Sequence, residues 1–196
     1  MVASIEFETE RLRARRWQGG DREPFAALNA DPRVMAFFQA PLSRAESDAM
    51  VDRIEAGFDE RGWDLWAVEE RAGGAFIGFV GLSVPRADLP CSPCVEVGWR
   101  LARAFWGRGY ATEAARGALR VGFERLGLPE IVSFTAARNL PSEAVMKRLG
   151  MAADGTFEHP RMAVGHPLRL HVLYRLRREA WLASGERERP FELRVS

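Results

Sequence analysis

Gly107 and Gly109 stand one residue apart, between a strand-like run (Val95 to Leu101) and a long helical run (Tyr110 to Leu126). Glycine has no Cβ, so the backbone can turn tightly there and leave its N–H groups uncovered. The opening of the helix adds further unpaired N–H groups and the positive end of its dipole. Trp106, Gly107, Arg108, Gly109, Tyr110, Ala111 and Thr112 therefore read as a cradle for a phosphate-bearing ligand. Arg108 either helps with phosphate charge or is a solvated surface arginine. A glycine turn that only packs a helix is the plainer alternative.

Two familiar phosphate loops do not fit. A dinucleotide turn needs a third Gly or Ala where this chain has Thr112, and an acidic residue at the end of the next strand, whereas Glu130 begins one. No Gly-Lys-Ser/Thr follows, which excludes a Walker loop. Cys91 and Cys94 lie in a Pro-rich loop and lack the second pair of a structural zinc site, so they read as two free thiols or, less simply, a redox pair. His159, His166 and His171 match no zinc spacing, and no metal site is expected; they line a cleft or are ordinary core and surface histidines.

The elements that must hold the loop follow from periodicity. Ile5 to Arg16 reads as a first strand. Asp21 to Asn29 reads as a helix capped by Asp21, and Ser43 to Phe58 as a second whose Ser43 and Glu46 form a capping box. Gly62 to Arg71 and Phe76 to Pro85 form a hairpin across Ala72-Gly73-Gly74. Cys94 to Ala102 alternates as a strand, and Gly98 inside it marks a bulge or a close approach. After the glycine turn and its helix come a strand (Glu130 to Ala136), a short helix (Pro141 to Leu149) and two strands (near Met151 to Glu158, and Leu168 to Leu176). Residues 1–183 read as one domain of mixed α/β class, and the charged residues 184–196 as a loose tail.

The 196 residues suffice for one sizeable core, and 47% hydrophobic with 28% charged residues is an ordinary globular balance. The net charge of +1 lacks the basic excess of a nucleic-acid binder. No apolar stretch is long enough to span a bilayer, and the acidic N-terminus (Glu6, Glu8, Glu10) is no signal peptide; a cytoplasmic location is the expectation.

Trp106-Gly107-Arg108-Gly109-Tyr110-Ala111, with Thr112-Glu113-Ala114, resembles the acetyl-CoA loop of GNAT-type N-acetyltransferases. Glu8 to Arg13, Asn139-Leu140-Pro141-Ser142 leading to Leu149-Gly150-Met151, and His171 to Tyr174 agree in the same order, over about residues 5 to 183. The likeness is greatest to the branch of ribosomal-protein alanine and serine N-terminal acetyltransferases, and Trp106 fits it, because an aromatic is common there. The resemblance implies a central, mostly antiparallel sheet flanked by helices. Its fourth and fifth strands (here Cys94 to Ala102 and Glu130 to Ala136) splay apart. It implies acetyl-CoA as cofactor, with the pyrophosphate on residues 107 to 112. The pantetheine arm would lie along the backbone of Trp99, Arg100 and Leu101, with Asn139 helping to fix it.

On that reading a neutral amine attacks the thioester directly, and a backbone N–H near Trp99 or Leu101 stabilises the oxyanion. Glu96 is the candidate base, acting through water, or an ordinary strand glutamate. Ser142 is the candidate donor to the departing sulfur, or a helix cap. Many family members place a tyrosine four residues further on; Met146 stands there, and Tyr174 is a second-rank substitute. A non-catalytic acyl-CoA-binding module on the same fold is the alternative. The partner is a small-molecule or peptide amine, with no nucleic acid or membrane; the branch often pairs, which allows a homodimer.

Overall fold

The computed structural model describes residues 2–85, 89–186 and 190–195. Ile5–Thr9 (β1) and Leu12–Arg15 (β2) are antiparallel neighbours, with Phe7 opposite Ala14. The expected single strand is therefore a hairpin. Thr9 causes the break: its Oγ1 accepts from the Leu12 N–H at 3.2 Å and turns the chain at Glu10 and Arg11. Arg22–Ala30 (α1) follows a short 3₁₀ turn. Asp21 does not cap it, because Arg15 Nη1 and Nη2 (2.7 and 3.0 Å) and the Gln18 N–H (2.7 Å) engage its carboxylate. Arg44–Arg61 (α2) does begin with the Ser43–Glu46 capping box and ends at Gly62 with φ +79°.

Leu65–Glu70 (β3) and Phe76–Ser83 (β4) form the expected hairpin, and Glu96–Leu101 (β5) pairs with β4. Tyr110–Arg120 (α3) runs on into a π turn, Val121–Arg125, where the sequence suggested plain helix. Then come Glu130–Ala136 (β6), Leu140–Arg148 (α4), Ala152–Glu158 (β7), Leu170–Arg177 (β8), Arg178–Ala183 (α5) and Phe191–Val195 (β9). β9 corrects the expectation of a loose tail: it pairs with β1 from Ile5↔Val195 to Thr9↔Phe191, and the Phe191 ring stacks on Phe7 at 5.6 Å. Of that tail, residues 187–189 and 196 lie outside the described residues.

The nine strands run in the order β7-β8-β6-β5-β4-β3-β2-β1-β9. Among the described residues only β5 and β6 pair in parallel. Phe79 of β4 packs against Phe25 of α1, while Leu82, of opposite parity, lies under Gly122 behind α3. The helices α1 and α2 thus cover one face and α3 the other. α3 sits very close to the sheet, since a Cβ on Gly117 would fall 2.2 Å from the Phe7 ring. Trp66, Phe7, Phe25, Phe58 and Phe123 are fully buried in the core, each contributing about 1.5–3 kcal/mol of transfer free energy.

β5 and β6 touch at one register position, Glu96↔Val132, and then part. Gly98 is no bulge: the β4–β5 register is unbroken from Gly78↔Leu101 to Ser83↔Glu96. The parting comes from β6, whose whole length is held by β8 on its far edge, from Glu130↔Arg177 to Ala136↔His171.

Candidate active site

A cleft of about 1800 Å³ runs through this split, from the α3 N-terminus to the loop joining α1 and α2. The main-chain groups that line it follow from strand parity. The Ala102 N–H bonds to the Ile77 carbonyl on β4, so Arg100 and Gly98 also turn their main chain toward β4. Trp99 and Leu101 turn theirs the other way, into the opening. Near its base the opening is closed by the bond from the Val132 N–H to the Val95 carbonyl, 2.9 Å. Beyond that point the N–H groups of Trp99 and Leu101 have no strand to meet. By the same parity Phe134 of β6 presents its main chain from the opposite wall, a position the sequence reading did not name. The indole of Trp106 donates to the Leu101 carbonyl at 2.8 Å and ties the glycine loop to the end of β5.

At the loop itself Gly107 and Gly109 have φ of +74° and +80°, values that favour glycine. A Cβ on Gly107 would meet nothing within 4 Å. No side chain caps α3, and the first bond into its opening turn is from the Glu113 N–H to the Gly109 carbonyl, 3.0 Å. The amides from Arg108 to Thr112 thus have no acceptor among the described residues. Glu113, in the first turn, would repel an anion there, but Arg11 neutralises it with a 2.5 Å ion pair and also donates to the Arg108 carbonyl at 3.1 Å. Arg11 is a site residue that sequence reasoning missed; it stands 102 positions from Glu113, and no local pattern marks the pairing. Arg108 is half exposed, 3.9 Å from Glu70, and Tyr110 bonds its hydroxyl to the same Glu70. Ala111 and the buried Thr112 line the cleft at the first helical turn.

Asn139 and Ser142 come together at the start of α4. The Asn139 amide donates to Thr135 Oγ1 (2.8 Å) and Ser142 Oγ (3.0 Å), and its oxygen caps the Ser142 N–H (3.3 Å). The Ser142 hydroxyl therefore accepts from Asn139 and keeps its own proton free to point into the cleft. Met146 is buried in the core below. The Tyr174 hydroxyl bonds to Glu143 at 2.7 Å, and Tyr174 does not line the cleft.

Glu96, Gly98 and Arg100 share the face of β5 toward α1 and α2. A Glu96 carboxyl oxygen comes within 3.9 Å of where a Gly98 Cβ would be, and nothing else lies within 4 Å, so the strand is bare at Gly98; Gly81 opposite it is covered by the β3 backbone. Burial pushes the Glu96 carboxyl up to about 8, with no cation beside it to offset the loss of water. On the opposite wall the rings of His159 and His171 lie 4.8 Å apart, tilted by 43°, beside Phe134, and burial lowers both imidazoles. Among the described residues no cluster could hold a metal ion. Cys91 and Cys94 are free thiols 3.5 Å apart, packed beside Phe134 and Leu89.

The arrangement fits the parts of coenzyme A: bare amides at a helix N-terminus for the pyrophosphate, and a parted strand edge for the amides of the arm. Comparison with known proteins agrees. The model of the acetyltransferase (GNAT) domain matches residues 11–152. The chain is 33% identical over 174 residues to the FsC-acetyl coenzyme A-N(2)-transacetylase of Aspergillus fumigatus, covering 82% of this chain and 71% of that one. An acetyltransferase structure from Agrobacterium tumefaciens superposes with a TM-score of 0.71 at 28% identity, over 87% of this chain and 93% of that one. RimL, a ribosomal L7/L12 N-terminal acetyltransferase solved with coenzyme A, shares the fold (TM-score 0.69, 17% identity, 88% and 97% covered). The chain belongs to the GNAT acetyltransferase family. It is an N-acetyltransferase, and its acyl donor is acetyl-CoA.

Proposed function

We propose that the protein moves the acetyl group of acetyl-CoA to a primary amine, on a peptide N-terminus or a small molecule, by direct attack within the β5–β6 cleft. The observation that carries this is the meeting of two features in one cleft: the uncapped amides of residues 108–112 and the unpaired N–H groups of Trp99 and Leu101. Acetyl-CoA supplies an acyl group already activated as a thioester. The loop amides hold its phosphates, with Arg11 cancelling the charge of Glu113. The N–H of Trp99 or Leu101 meets the carbonyl oxygen where negative charge develops. The Asn139 oxygen keeps a lone pair for the arm, and Ser142 donates a hydrogen bond to the departing thiolate, which takes up a proton equivalent to the one the amine releases.

Glu96 takes the proton of the attacking amine, directly or through water, and its raised pKa suits that task near neutral pH. The demand on it depends on the acceptor. An α-amine with a pKa near 8 costs about 1 kcal/mol to deprotonate at pH 7, and a lysine near 10.4 costs about 4–5 kcal/mol. The resemblance to the ribosomal-protein branch leaves both protein N-termini and small amines open as acceptors.

The test is release of free thiol from acetyl-CoA in the presence of peptides, polyamines and amino compounds. Amine-dependent release is expected. If coenzyme A raised the melting temperature but no amine produced thiol, the second reading, a non-catalytic acyl-CoA-binding module, would stand.

A further inference from the structure

Arg100 is nine-tenths buried on the acceptor side of the sheet. Its Nη1 donates to Asn29 Oδ1 at 2.6 Å, and its guanidinium lies over the rings of Phe38 and Phe79 (4.1 and 5.4 Å). Its Nε is enclosed with no hydrogen-bond partner. Nη2 likewise has no acceptor among the described residues, but it is not enclosed, and Arg100 lines the cleft. Burial pulls the group down to about 10, and no carboxylate offsets it. A guanidinium held this way leaves Nη2 open to the cleft, a donor for a charge-assisted bond to a carboxylate.

The coenzyme's phosphates are poor candidates for that donor. The amides that fit them open α3 on the opposite face of the sheet, while Arg100 turns toward α1 and α2. Glu96 lies four residues back on the same face, about 13 Å away along the strand. Between them lies Gly98, which lines the cleft and where a Cβ would meet nothing nearer than a Glu96 oxygen at 3.9 Å. A protonatable carboxyl and a buried guanidinium that do not pair with each other thus flank this stretch of strand.

We infer that the acceptor is an amine bearing a carboxylate several bonds away, with its nitrogen toward Glu96 and its carboxylate on Nη2 of Arg100. The inference rests on the acetyl-transfer reading and names the substrate class of that site. It disfavours polyamines, which offer the arginine only a second cation.

The experiment measures thiol release from acetyl-CoA with 4-aminobutyrate and glycylglycine, each beside its own carboxamide. Wild type, Arg100→Lys and Arg100→Met are compared, with the coenzyme A thermal shift as a control for folding and donor binding. Each acid is expected to exceed its amide in kcat/KM by about 10- to 100-fold. Arg100→Met is expected to erase that preference while still binding coenzyme A, and Arg100→Lys to keep part of it. Equal turnover of acid and amide, or turnover of spermidine with neither acid used, would overturn the inference and leave acetyl transfer intact. Absence of thiol release with every amine would overturn both. If Arg100→Met did not fold, an unchanged acid preference in Arg100→Lys with a tenfold lower kcat/KM for acid and amide alike would overturn it.

Discussion

Glu96 sets the pH behaviour at the residue scale. Its carboxyl is raised from 4.5 to about 8 by burial, so the folded protein binds a proton that the unfolded chain has lost over that window. Its contribution to stability is complete below pH 4.5 and is lost as the pH rises through 8. Glu96→Gln should therefore match wild type in melting temperature at pH 4 and exceed it at pH 9. In catalysis the same change should lower kcat/KM by about 10²–10⁴-fold and remove an inflection near pH 8. A pH–rate series on both proteins, with one acceptor, checks both statements. Of the residues involved, Glu96, Trp99, Leu101 and Ser142 were singled out with the help of the family resemblance, and the fold brings all four to the cleft. Arg11 was not, because its value lies in a pairing with Glu113 that only the fold creates. Arg100 was expected to lend its backbone to the pantetheine arm, but its main chain faces β4 and its side chain is what lines the cleft.

At the scale of elements, the turn into α3 was the clearest feature in the sequence, since two glycines before a helical run leave few other readings. Its φ values bear this out. Alanine at Gly109 would adopt a left-handed conformation at about 1 kcal/mol, and its Cβ would lie 3.5 Å from the Arg11 guanidinium. Gly127 also has a positive φ, +67°, with open space around it and no place in the cleft. Both Gly109→Ala and Gly127→Ala should lose about 1 kcal/mol, but only Gly109→Ala should weaken coenzyme A binding, by about tenfold in calorimetry. The β1–β2 hairpin escaped the sequence because one threonine hydroxyl makes the turn, without Gly or Pro to announce it. The π turn at Val121–Arg125 escaped for a related reason. Gly122 lies against Ile131 and Leu82 with no room for a Cβ, a tertiary fit that helical periodicity does not record.

For the whole molecule, the mixed sheet, its helix order and the split were legible, and the closing strand was not. Phe191, Leu193 and Val195 alternate with Glu192 and Arg194, which is a strand pattern. It is short and follows a charged run, and charge suggested a free tail. In the fold Phe191 stacks on Phe7, and the Arg120 guanidinium lies 4.6 Å from the Phe191 ring. Removing residues 190–196 should cost about 2–4 kcal/mol in lost apolar burial, or about 4–16 °C in melting temperature. It should also leave β1 as a bare edge that self-associates. Calorimetry and light scattering on the shortened chain would show both; Phe191 also lines the cleft, so coenzyme A binding should weaken as well.

The pairing of β9 with β1 also orders events during synthesis. The first strand made waits for a partner encoded more than 180 residues later, roughly ten to forty seconds of ribosome travel. Until then the nascent sheet has a sticky margin at its oldest end. Chaperones that shield exposed strand margins would therefore engage this chain once β1 emerges and let go only when β9 does.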